Sequence, residues 1–163
     1  MEASANVSGF GFLFRSDQGR IGTRTWWLGS AGLGATLAVL TALWVGLEPS
    51  AHRDLGTTSF LDWWTLAAYV YLLFYALAVL LIAICYTNLS AKRWRDRGRP
   101  ASLAGLLPLA ALVSGAVHWL QPRVAESIPH WYVLGTDLLL AAIIVWTVIE
   151  LGFDRPRVTS GMG

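Results

Sequence analysis

The stretch Leu89-Ser90-Ala91-Lys92-Arg93-Trp94-Arg95-Asp96-Arg97-Gly98-Arg99-Pro100 breaks a succession of long apolar runs with five of the twelve basic residues of the chain. Lys and Arg beside an apolar span mark the side that is not translocated, so this island is read as cytoplasmic. Ten of the twelve basic residues fall in the island, in the segment before the first apolar run (Arg15, Arg20, Arg24) or after the last one (Arg155, Arg157). Only Arg53 and Arg123 fall elsewhere.

Working outward, four apolar runs are long enough to matter. Trp26 to Leu47 and Trp63 to Cys85 hold 22 and 23 residues, about 33 and 35 Å as helices, which is sufficient for a hydrocarbon core of about 30 Å. Leu103 to Leu120 is shorter and carries Pro108, which is expected to kink it. Tyr132 to Leu151 is the fourth. Trp26 and Trp27, Trp44, and Trp63 and Trp64 lie where an aromatic belt is expected. Helical spacing continues past Cys85 into the island until Gly98 and Pro100 stop it.

The expected fold is therefore an all-α membrane protein with four transmembrane helices and both termini cytoplasmic. It divides into an amino-terminal segment (1–25), a four-helix domain (26–151) and a tail (152–163). At 55% apolar and 13% charged residues the chain leaves no length for a second, water-soluble domain. No basic n-region with a following apolar core marks a cleaved signal peptide in residues 1–25. Phe10, Phe12, Leu13 and Phe14 there either lie in the cytoplasmic interface or belong to a disordered tail.

Three groups of residues are candidates for function. Ser30, Gly34, Ala38, Ala42 and Gly46 recur every fourth residue on the first span, a ridge that another helix can approach closely. Arg20 and Arg24 are expected to join Lys92, Arg93, Arg95 and Arg97 in a cationic cluster for anionic phospholipid headgroups. Asp96 and Glu150 would neutralise its inward-facing members, with Arg93 or Arg24 as partners. His118 and Asp137 are ionisable groups within spans, expected at similar depth on antiparallel neighbours, where they could tie two helices, relay protons or help bind a cation.

Other chemistry finds little support. His52, His130 and Asp62 match no metal-site spacing, and the lone Cys85 offers neither a disulfide nor a metal knuckle. Tyr69, Tyr71, Phe74 and Tyr75 read as packing or lipid contacts, with no histidine beside them to ligate haem. No cofactor, metal or nucleic acid is expected. No activated nucleophile, phosphate loop or paired intramembrane carboxylate suggests an enzyme.

The chain resembles the bacterial inner-membrane proteins grouped as domain of unknown function 805. The likeness lies in Gly19-Arg20-Ile21-Gly22-Thr23-Arg24-Thr25-Trp26-Trp27, in Lys92-Arg93-Trp94-Arg95-Asp96-Arg97-Gly98-Arg99-Pro100-Ala101, similar to an Arg-Arg-Leu-His-Asp-x-Gly-x-Ser-Gly loop, and in Pro108. The chain departs from that pattern in carrying Arg95 for the loop histidine and Pro100-Ala101 for the Ser-Gly pair. The resemblance implies the fold and an inner-membrane location, and no activity. The expected role is an accessory or scaffold subunit that packs against another membrane protein and lipid. The alternative is a small oligomeric transporter or channel using His118 and Asp137.

Overall fold

The computed structural model describes residue 9 and residues 11–51, 62–121 and 129–153. A single π-helical turn, Gly11–Arg15, precedes α1 (Thr23–Ala51) and α2 (Trp63–Asp96); a 3-10 segment, Ala101–Gly105, leads into α3 (Leu106–Leu120), and α4 (His130–Gly152) follows. Among the described residues there is no strand. All four long helices have the length and apolar composition to cross a membrane, the pattern of a multi-pass membrane protein.

α1 and α2 pair along their length, as do α3 and α4, while the two hairpins meet mainly at the basic end. Only 6% of the most apolar window of α1 and of α2, and 11% of that of α3 and of α4, is buried. Inside a bilayer apolar surface gains nothing from leaving lipid, so packing there must come from close contact and polar clips. Between α1 and α2 these are Tyr71 Oη donating to the Leu40 carbonyl at 2.7 Å and the Thr41–Tyr75 hydroxyl pair at 3.0 Å.

The core lies instead at the basic end. Leu89, Ser90, Ala91, Lys92, Arg93 and Trp94 of α2 are six consecutive buried residues, so the helix is enclosed on every side. Ile21 and Trp26 cover it from the amino-terminal side, Ala104 from the 3-10 segment and Leu151 from α4, with Phe12, Leu13 and Phe14 packed beneath. Trp94 meets Trp146 at 5.2 Å between ring centroids, and Trp26 Nε1 donates to Ser90 Oγ at 3.2 Å.

The chain's own helices leave most of the ridge on α1 open: Ser30 is half-buried, but Gly34, Ala38, Ala42 and Gly46 are exposed, and a Cβ added at Gly34 would meet nothing within 4 Å. Close approaches within the chain are instead made at Gly29 of α1, where a Cβ would stand 2.7 Å from Leu89 Cδ2, and at Gly152 of α4, where it would stand 2.9 Å from Trp27 Cζ2. Trp27 Nε1 also donates to the Gly152 carbonyl at 3.0 Å, which seats α4 on the start of α1. Pro108, expected to kink the third span, sits at the third residue of α3. Its missing N–H falls among the first-turn donors that have no intrahelical partner, and the chain before it is 3-10 rather than a bent α-helix.

Candidate functional site

The island residues are sorted by the folded chain into cations that hold the protein together and cations left at its surface. Asn88, Lys92 and Arg95 stand at i, i+4 and i+7 on α2, one face of a helix, and that face receives the amino-terminal strap. Asn88 Nδ2 donates to Phe14 O at 2.8 Å. Lys92 Nζ donates to Leu13 O at 3.0 Å and to Ser16 O, and lies 4.9 Å from the Phe12 ring centroid. Arg95 donates to the Asp17 carbonyl and, at 2.8 Å, to Asp17 Oδ2. The strap is thus gripped chiefly by its backbone.

Lys92 is 0% exposed and Arg93 2%. Their assignment to a lipid-facing cluster is corrected accordingly, because a charge so enclosed must be satisfied by protein acceptors. Arg93 meets three elements at once. Nε donates to Leu151 O at 3.1 Å, Nη1 to Asp96 Oδ2 at 2.6 Å and Nη2 to Thr23 Oγ1. The expected Asp96 pair is therefore made with Arg93, while Glu150 Oε1 lies 3.8 Å from Arg99 Nη2, a partner the sequence did not suggest. The planar guanidinium, with five donors in a fixed fork, is the side chain suited to bridging α1, α2 and α4.

Arg95 is committed to Asp17. That guanidinium holds the exposed Asp17 carboxyl below the usual carboxylate range, chiefly by its hydrogen bond. A depressed folded value stabilises above the unfolded carboxylate range, about pH 4, and the contribution fades as pH falls through the depressed value. Arg20 and Arg24 are exposed and Arg97 is half-buried.

Lys92→Met keeps most of the stem and removes the donors, leaving the Leu13 and Ser16 carbonyls unpaired. The loss of two charge-assisted hydrogen bonds in a partly covered place, each worth about 1.5–3 kcal/mol at most, is enough to detach the strap while the hairpins stay paired. Limited proteolysis in detergent should cut Lys92→Met near residues 15–20 at least tenfold faster than the native chain, with the four-helix fragment resistant. Equal cutting rates would show that the strap is held by Phe12, Leu13 and Phe14 alone.

The second candidate site joins α3 to α4 at the end remote from the island. His118 Nε2 stands 3.5 Å from Asp137 Oδ2, so the two residues expected at matching depth are neighbours. Sequence reading missed Ser114, which lies four residues before His118 on the same face. Its Oγ donates to Asp137 Oδ1 at 2.8 Å, and its carbonyl oxygen is 3.0 Å from His118 Nδ1. The Ser114 proton goes to the carboxylate rather than to the imidazole, the wrong order for an activated serine nucleophile. Asp62 caps α2, accepting from Thr65 N at 3.1 Å and Thr65 Oγ1 at 2.9 Å. Among the described residues no group of three or more His, Cys, Asp or Glu side chains could hold a metal. His52, Arg53, Arg123, Arg155, Arg157 and Phe10 lie outside the described residues.

Fold and sites together define a class, an all-α chain whose four long apolar helices are fastened at one polar end. No protein-family model matches the chain, and no curated protein or solved structure matches it.

Proposed function

We propose that this protein is a non-catalytic accessory or scaffold subunit of a larger complex in the bacterial inner membrane, with both termini cytoplasmic. In this reading α1 docks a helix of another membrane protein along Gly34, Ala38 and Ala42. Anionic phospholipid headgroups meet Arg20, Arg24 and Arg97 at the cytoplasmic face. The observation that carries it is the exposure of the small-residue ridge, which the chain's own helices leave uncovered along the α1 span. A backbone so accessible allows van der Waals contact and weak Cα–H···O bonds that bulky side chains would prevent. The basic excess beside the apolar spans supports the orientation, and the resemblance to the domain of unknown function 805 proteins supports the location. No cofactor or nucleic acid enters this reading.

Purification in mild detergent should bring down a stoichiometric membrane partner. Gly34→Leu should reduce the co-purified partner about tenfold, equivalent to ~1.4 kcal/mol, without loosening the α1–α2 hairpin. Gly29→Val, by contrast, should loosen the hairpin at Leu89. A chain that purifies without any partner, or a Gly34→Leu variant that keeps it, sinks the reading. The second reading, a small oligomeric transporter or channel, is favoured by the approach of His118 to Asp137. Proton-dependent flux in vesicles that is lost in Asp137→Asn would establish it.

A further inference from the structure

The Ser114, His118 and Asp137 cluster admits a count of its protons. A carbonyl oxygen only accepts, so His118 Nδ1, 3.0 Å from Ser114 O, carries a hydrogen. The Ser114 hydroxyl hydrogen is committed to Asp137 Oδ1. The remaining approach, Nε2 to Oδ2 at 3.5 Å, is too short for an intervening water. It is attractive only if a hydrogen lies on one atom or the other, as imidazolium with carboxylate or as imidazole with carboxylic acid. Both arrangements contain the same single proton and no net charge.

Removing that proton leaves a carboxylate facing an imidazole lone pair, with the Ser114 hydroxyl as the one group of the other two residues still donating to it. The site lies within apolar helices, where an unneutralised charge is costly. The side chains of His118 and Asp137 are 53% and 45% exposed, so the proton has a route in and out. The contact also ties the far part of α3 to α4, the helix with which α3 makes most of its contacts.

We propose that Ser114, His118 and Asp137 form a proton-binding site at the far end of the α3–α4 seam, and that loss of the bound proton unfastens α3 from α4 there. The proposal holds whether the chain is a scaffold or a transporter. The other titratable groups towards this end among the described residues are His130 and Tyr132 on α4, Glu48 on α1, Asp62 before α2 and Tyr69 and Tyr71 on α2; all stay unchanged in the variants.

Spin labels at Leu120→Cys and Trp131→Cys, in a Cys85→Ser background in nanodiscs, report the separation of the two helix ends. The native site should give one short distance in mild acid and a growing longer component as pH rises, by no more than tenfold per pH unit, the slope of one proton. Asp137→Asn supplies an amide that donates to Nε2 and an oxygen that accepts from Ser114, so it should stay closed at every pH. Asp137→Leu should be open throughout. In Asp137→Asn the imidazole nitrogen spectrum should show the Nδ1–H tautomer of His118. A distance that does not change between about pH 5 and 9, an Asp137→Asn variant with the native pH response, or an Nε2–H tautomer would each overturn the proposal.

Discussion

Titration of Arg93→Ala with denaturing detergent in mixed micelles is expected to show a loss of about 3–5 kcal/mol, the range for breaking one side of a buried, hydrogen-bonded ion pair. The reason is the number of elements that lose a donor together. The Leu151 carbonyl at the end of α4, Thr23 at the start of α1 and the Asp96 carboxylate on α2 all accept hydrogen bonds from one guanidinium. Asp96 is left as an uncompensated charge, and the two hairpins lose a polar link where they meet. Arg93→Lys can replace one of these bonds but not the fork, so it should recover only part of the loss. Arg24→Ala, at an exposed position only five residues before the glycine that packs on Leu89, should stay within about 0.5 kcal/mol of the native chain. Equal effects at Arg93 and Arg24 would show that the basic end is a topological signal and not a structural joint.

Trp94→Ala is expected to cost a similar 3–5 kcal/mol, through cavity formation in place of lost hydrogen bonds. Trp94 is 1% exposed, packs on Trp146 of α4 and belongs to the cluster that contains Trp26, Leu89 and Leu151. Its neighbours are helix ends fixed by other contacts, so they cannot collapse into the space it leaves. The near-ultraviolet circular dichroism contributed by the Trp94–Trp146 pair should disappear with it. Trp63→Ala and Trp119→Ala remove equally large rings that are 81% and 60% exposed, and should leave stability in detergent nearly unchanged. A Trp94→Ala variant as stable as these would place the core elsewhere.

Both expectations concern residues that composition alone consigns to the surface. Patterning marks Lys92 to Arg99 as a basic island and therefore as solvated, because a charged side chain is ordinarily cheapest in water. In the folded chain the strap supplies carbonyl oxygens to Lys92, and α1 and α4 supply acceptors to Arg93, from positions 70 or more residues before them and 58 residues after them. No local pattern encodes acceptors so remote. A hint was present in Trp94, a large apolar residue set among five cations, which has no reason to sit there unless something covers it.

The small-residue ridge on α1 was legible in a different way. Its four-residue spacing was legible, but spacing does not say which face of α1 meets α2. Leu33, Leu37, Leu40, Thr41 and Trp44 occupy the partly covered face instead, and the glycine that permits close approach, Gly29, is offset from the ridge. His118 and Asp137 were legible as a pair because two antiparallel spans of known length fix their relative depth. Ser114 was not, since a serine in a span usually bonds its own helix.

The amino-acid sequence by itself determined the number of long helices, their approximate limits and the continuation of the second through the basic stretch. These follow from local quantities, the length of apolar runs and the stop at Gly98 and Pro100. Only the tertiary structure decided that the core lies at the polar end, which cations are enclosed and which stay exposed, and that Ser114 completes the His118–Asp137 contact. Lipid offers apolar spans no drive to merge, so burial concentrates where water borders the chain. Which residues it encloses there depends on segments far apart in sequence.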